Sequence, residues 1–370
     1  MNSVYIIAEA GVNHNGSLDL ALQLVQSAAD AGANAVKFQT FFAENLVTKD
    51  APRANYQKKN DAQNISQYEM LKRLELRQED HFKLKAYAEE VGIEFLSTPF
   101  GLDELEFLVK RVKVKRLKMS SGEVTNGLLL LEAARTGLPI ILSTGMSSIE
   151  EISDALGVLA FGYSAKSDAA PSMSAFIQAL NSQRGQEMLR QNVTVLHCTT
   201  QYPTPVDDVN LRAMSTLAER FGLPVGYSDH TQGILASIAA AANGAFVLEK
   251  HFTLDRGMNG PDHAASLEPD ELTDLVSSVR CVERMLGARE KGCSVSEGEN
   301  IKVARKSLVV NKSIKRGAIF RSEHLEAKRP GGGLSPMALW DVLGKPANRD
   351  YLQDEQVDAM LIEDVDRCKM

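Results

Sequence analysis

Two stretches decide the fold: Pro224-Val225-Gly226-Tyr227-Ser228-Asp229-His230-Thr231 and, one helical segment later, Ala245-Phe246-Val247-Leu248-Glu249-Lys250-His251-Phe252. Each is a short apolar run, the length of a buried strand, that turns polar at its C-terminal end. Working outward, the same unit recurs. Apolar runs fall at residues 4–8, 33–38, 93–96, 116–119, 139–142, 193–197, 224–227 and 245–249. The six others lead into Glu9, Lys37-Phe38-Gln39-Thr40, Ser97-Thr98-Pro99-Phe100, Lys118-Met119-Ser120-Ser121-Gly122-Glu123, Ser143-Thr144-Gly145 and His197-Cys198-Thr199-Thr200-Gln201-Tyr202-Pro203. Amphipathic stretches lie between them. Those at 18–31, 78–91 and 268–286 each end at a glycine (Gly32, Gly92, Gly287), a usual helix stop. Strand-then-helix repeats of this kind predict a (β/α)8 TIM barrel. The alternative, an open doubly wound sheet, lacks a GxGxxG or GxxxxGK[ST] turn after its first strand.

The chain has 370 residues, 41 Lys+Arg against 48 Asp+Glu, and a net charge of −7. That length allows a barrel over 1–287, a linker over 288–300 and a small, turn-rich β domain over 301–370. The acidity argues against a nucleic-acid partner. No run of about 18 apolar residues predicts a membrane span, and no signal peptide is visible. The four cysteines (Cys198, Cys281, Cys293, Cys368) have no CxxC spacing and read as reduced cytoplasmic thiols. A polar loop over 41–67 reads as a lid. The segment 157–192 reads as peripheral, because it approaches the N-terminal end of its strand.

A barrel's chemistry sits at the C-terminal ends of its strands. The side-chain period of two puts Ser228 with His230, and Glu249 with His251, on the same faces of adjoining strands. The two histidines are therefore candidate ligands for one divalent ion; alternatively, both are hydrogen-bonded core residues. Lys37 and Lys118 share the mouth. With the hydroxyls of Ser121, Ser143 and Ser228 they suit a phosphate, or else they form internal salt bridges to Glu9 and Glu123, or one of them forms a Schiff base. Glu9 and Glu123 are candidate acid–base groups. Asn13, His14 and Asn15 read as shaping a turn, and His81 and His324 as surface residues.

Taken together, these segments, with Gly260-Pro261-Asp262-His263 and the tail motif Lys328-Arg329-Pro330-Gly331, resemble the bacterial sialic acid synthase family, which makes N-acetylneuraminate and related nonulosonates. The tail looks like that family's antifreeze-protein-like (SAF, β-clip) domain. The resemblance implies a transferase that condenses phosphoenolpyruvate with an open-chain N-acetylmannosamine-type sugar. It implies Mn or Mg held by His230 and His251. It implies that Lys37, Lys118, Ser121, Ser143, Thr200 and Ser228 bind phosphoenolpyruvate, and that Glu9, Tyr202, Asp262 and Arg329 contact the sugar. It further implies a domain-swapped homodimer in which Arg329 serves the partner's barrel. Thr200 departs from the pattern, since some members carry Asn there. N-acetylmannosamine is the first choice of sugar and a 2,4-diacetamido-trideoxymannose, giving a legionaminic-type acid, the second. Two rivals are a Schiff-base aldolase or lyase and a carbohydrate-binding protein with a degenerate barrel.

Overall fold

The computed structural model describes residues 3–54, 65–166 and 168–362. Residues 55–64 of the expected lid, and Cys368, lie outside the described residues. The chain divides into two compact units, Met1–Gly287 and Ala288–Met370.

In the first unit β1 (Tyr5–Gly11), β2 (Ala35–Thr40), β3 (Glu94–Pro99), β4 (Leu117–Met119), β5 (Ile140–Ser143), β6 (Val193–Cys198), β7 (Val225–Asp229) and β8 (Val247–His251) form one sheet. Its order is β3-β2-β1-β8-β7-β6-β5-β4, every ladder is parallel, and β3 lies against β4 to complete the ring. This is a (β/α)8 barrel. Most strands run further into the polar ends than hydropathy alone marks, because ladder bonding continues there. The helix Gln78–Val91 stops where Gly92 adopts the left-handed conformation, φ 81°. Outward-facing Val36, Phe38, Leu117, Leu142, Val195 and Leu248 join the helices in the main core.

The lumen is built in tiers, as the period of two requires. Ile7, Ala35, Leu96, Ile141, Leu196 and Val247 form a separate apolar floor. On β7 the floor position is Gly226. A Cβ there would strike the Val247 carbonyl oxygen and lie 2.6 Å from Leu196 Cδ2. Two residues further along the strands stand Glu9, Lys37, Thr98, Ser143, Cys198, Ser228 and Glu249. Two further again stand Gln39, Phe100, Gly145, Thr200, His230 and His251, at the mouth.

The segment 157–192 folds as the end of helix Ile149–Ser164 followed by helices Met173–Asn181 and Gln183–Asn192, which pack against it outside the barrel. His81 corrects an expectation. It is buried, not at the surface: its Nδ1–H donates to the Arg77 carbonyl (3.0 Å) and its Nε2 accepts from the Thr40 hydroxyl (2.9 Å). His324 is half-buried. Among the described residues no helix is long and apolar enough to cross a membrane.

The second unit pairs β9 (Ser307–Val310) with β10 (Leu325–Lys328) antiparallel, over a core that includes Leu308, Val310, Phe320, Val342 and Tyr351. The expected linker is partly helical. Ser294 and Glu297 form a capping box, and helix Gly298–Ala304 crosses the boundary expected at 301.

Candidate active site

The ladder registers assemble the site. Glu9 is the Cα partner of Lys37 on one side and of His251 on the other; Ser228 is the partner of Cys198 and of Glu249. The residues sit next to one another because the strands do. One cavity at the barrel mouth is lined by Glu9, Lys37, Lys118, Ser121, Ser143, Thr200, Tyr202, Ser228, His230, Glu249, His251 and Asp262. Its other wall is apolar: Val12, Met70, Leu71, Leu74 and Phe100, largely from helix Gln67–Leu74.

Four charges alternate at the base. Lys37 Nζ lies 2.7 Å from Glu9 Oε2 and 3.8 Å from Glu249 Oε2; Lys118 Nζ lies 3.3 Å from Glu249 Oε1. All four side chains are at most 4 % exposed. Burial raises the Glu9 carboxyl, against the pull of Lys37, to about 7. Burial also acts on Glu249, but Lys118, Lys37 and the Ser228 hydroxyl together hold it well below the usual carboxylate range. Burial would lower Lys37, yet Glu249 and Glu9 raise it; Lys118, buried and repelled by Lys37, is lowered. Two ammonium groups set against two carboxyls, one of which burial pushes toward its neutral form, suit this base to an anion.

Hydroxyls and a backbone approach complete that end. Ser143 Oγ and Thr200 Oγ1 are buried without a hydrogen-bond partner. Gly145 N–H donates to Ser121 Oγ at 2.9 Å. A Cβ on Gly145 would strike Thr200 Oγ1 and come within 3.0 Å of Ser121 Oγ and Cys198 Sγ, so glycine keeps this cradle open.

At the rim the rings of His230 and His251 are 5.4 Å apart, with Tyr202 at 4.2 Å from the first and 5.5 Å from the second. His230 Nδ1 contacts the Thr199 carbonyl at 2.7 Å. A carbonyl only accepts, so Nδ1 carries the hydrogen and Nε2 keeps its lone pair. Ser228 Oγ lies 3.3 Å from that Nε2, but its proton goes to Glu249 Oε1 at 2.9 Å. His251 Nδ1 is buried without a hydrogen-bond partner, 4.0 Å from Asp262 Oδ2. Burial lowers His230 to about 4 and, with His230 beside it, takes His251 well below its usual value. Burial raises Asp262 to about 6. Two neutral imidazoles with uncommitted nitrogens fit a divalent cation. Among the described residues no group of three or more His, Cys, Asp or Glu gathers as a cage, so water and substrate oxygens would supply the remaining ligands.

Two expected site residues lie elsewhere. Glu123 does not line the cavity. It sits on the 3-10 turn Ser121–Glu123 after β4, outside the strand's alternation, and its Oε2 accepts from Asn126 Nδ2 at 2.7 Å at the start of helix Gly127–Arg135. It is a turn residue, and Lys118 pairs with Glu249 in its place. Arg329 belongs to the second unit, exposed just after β10, with Nε donating to the Ala304 carbonyl at 2.9 Å. Glu249, absent from the expected set, carries a signal in the sequence: it is two residues from His251 and therefore on the same face. Asn13, His14 and Asn15 do shape the turn after β1, with Asn13 Nδ2 donating to the Phe252 carbonyl and Gly16 N–H to His14 Nδ1.

Residues 24–291 match the NeuB family and residues 305–359 the SAF domain. The chain is 46% identical over 357 residues to the N,N'-diacetyllegionaminic acid synthase of Campylobacter jejuni, covering 96% of this chain and 99% of that protein. It is 45% identical over 340 residues to the N,N'-diacetyllegionaminic acid synthase of Legionella pneumophila, covering 92% and 89%. Among solved structures it is similar to an N-acetylneuraminic acid (sialic acid) synthetase from Leptospira borgpetersenii in complex with citrate, at 35% identity and a TM-score of 0.65, covering 81% and 90%. The match spans both units in order and extends over nearly the full length of these relatives, and on that ground the chain is an enzyme of the NeuB family.

Proposed function

We propose that this chain joins phosphoenolpyruvate to the open-chain form of a 2,4-diacetamido-2,4,6-trideoxymannose, giving a legionaminic-type acid and phosphate. One observation carries the choice of sugar. The two near-full-length relatives at 46% and 45% identity are both N,N'-diacetyllegionaminic acid synthases, whereas the sialic acid synthetase stands at 35%. The apolar wall of Val12, Met70, Leu71 and Phe100 suits the methyl groups of such a sugar. N-acetylmannosamine, the first choice from sequence, becomes the second reading.

In this reaction Lys37, Lys118 and the hydroxyls of Ser121, Ser143, Thr200 and Ser228 bind the enol phosphate and orient its C3 toward the sugar's aldehyde carbon. A divalent ion, Mn or Mg, held by His230 and His251 supplies Lewis-acid polarisation of the aldehyde oxygen when bound. Tyr202 and Asp262 position the sugar beside the histidines. As the C–C bond forms, positive character develops at C2 of the enolpyruvyl unit and water adds there. Glu9 takes a proton from that water and passes it to the sugar's former aldehyde oxygen, which becomes a hydroxyl as its C=O π bond breaks. The C2 hydroxyl then gives its proton to the departing phosphate as the C–O bond breaks and the ketone forms, the phosphate charge stabilised by Lys118 and the hydroxyls.

Phosphate release with three sugars tests the assignment: the 2,4-diacetamido compound, N-acetylmannosamine and N-acetylmannosamine 6-phosphate. The first is expected to show a kcat/KM at least about tenfold above the others, a difference of about 1.4 kcal/mol. Preference for either of the others sinks this choice of sugar. Borohydride added with substrates is expected to leave Lys37 and Lys118 unmodified; a covalent adduct would mark a Schiff-base lyase. Arg329, by the same reading, reaches the sugar in a second copy's barrel. Arg329→Ala is expected to raise the sugar's KM at least about tenfold with little change in kcat, the pattern of lost uniform binding. An unchanged KM removes it from the site.

A further inference from the structure

On the far face of β7 and β8 lies a charge pair that the proposed reaction does not touch. Ser228, His230, Glu249 and His251 face the lumen. Asp229 and Lys250, between them, face the helix layer, where their strand neighbours Tyr227 and Leu248 belong to the apolar core. Both are sealed from solvent, at 0 % and 1 % exposed. Charges buried in such a layer cost several kcal/mol each, and well-packed apolar residues would join the two layers at least as well. Packing alone therefore does not account for them.

Their bonds converge on Thr231. Asp229 and Lys250 are Cα partners in the ladder, with Oδ2 and Nζ 3.2 Å apart. Asp229 Oδ1 accepts from Thr231 N–H and from the Thr231 hydroxyl, both at 2.8 Å, and Oδ2 accepts from Ser237 Oγ at 2.6 Å. Lys250 Nζ donates to the Thr231 carbonyl. The peptide joining His230 to Thr231 is thus held at its N–H by Asp229, and at its carbonyl by the N–H of Thr204 at 2.8 Å. The ladder between β7 and β8 ends at this pair, immediately before the two histidines.

We propose that Asp229 and Lys250 are positioning residues for the histidine pair. They lock the register of β7 on β8 and the two peptides that flank Thr231, directly after His230, and so fix the two imidazoles at the separation that holds a divalent cation. The inference rests on the metal reading above. Full-length protein is titrated with Mn2+ alone, the free ion followed by its EPR signal, and with phosphoenolpyruvate alone by calorimetry. Asp229→Asn and Lys250→Met are expected to weaken Mn2+ binding at least about tenfold, at the low end of what losing support around a metal ligand costs, while metal-free phosphoenolpyruvate affinity stays within about twofold. Ser237→Ala, which removes one hydrogen bond from Asp229, keeps the test open should those variants not fold, with an expected loss of about threefold. Unchanged Mn2+ affinity in a folded variant overturns the proposal, and so does a parallel loss of both affinities, which would mark a general loosening. A wild-type chain that takes up no Mn2+ overturns the metal reading and this inference with it.

Discussion

His251→Ala is expected to lower kcat/KM by about a thousandfold or more, about 4 kcal/mol of transition-state stabilisation, and to abolish stimulation by added Mn2+. Its ring is 5.4 Å from that of His230, and its Nδ1 makes no hydrogen bond that the fold would miss. The substitution removes an imidazole and leaves the barrel's own bonding in place, so thermal unfolding should move little. Steady-state phosphate release across a metal titration, with circular dichroism as the control, checks both halves. Full turnover in the variant would end the ligand role of His251.

Lys37→Met is expected to destabilise the barrel by about 3–5 kcal/mol, the usual cost of removing one partner from a buried ion pair. Lys37 faces Glu9 at 2.7 Å and Glu249 at 3.8 Å, and without it Lys118 is the remaining cation of the four-charge base. Adding Glu9→Gln to Lys37→Met should restore a large part of the loss, because one stranded carboxylate is then gone. Denaturant unfolding followed by circular dichroism measures the two variants. A loss below about 1 kcal/mol for Lys37→Met would mean that the buried carboxylates find other compensation.

The barrel is legible because its signal is repeated. Six strands show the same change from apolar floor to polar tier, and the two-residue period then predicts which side chains share the lumen. That logic finds Lys37, Lys118, Ser228, His230 and His251, and it extends to Glu249. It fails at Glu123, which lies past the end of β4 on a turn where alternation no longer holds. It also fails at His81, whose partner Thr40 is 41 residues away in sequence and leaves no local trace. The helix at Gly298–Ala304 is short and has no side-chain cap of its own; the Ser294–Glu297 capping box opens the 3-10 turn before it, inside a stretch whose polarity reads as linker. The sugar is the least legible part. The apolar wall proposed to receive its distal end includes Met70 and Leu71, which come from a connecting helix and follow no strand period.

The stacked lumen also divides labour in a way that matters for descent and for engineering. The floor, with Gly226 wedged beneath Val247 and Leu196, tolerates almost no edit. The rim around Val12, Met70, Leu71 and Phe100 comes from outside the strands, in a small apolar cluster of its own with Phe41 and Leu74, so it varies apart from the floor. A lineage moving to a new acceptor, or a laboratory library seeking one, has its freedom there, while the chemistry one storey down is inherited intact.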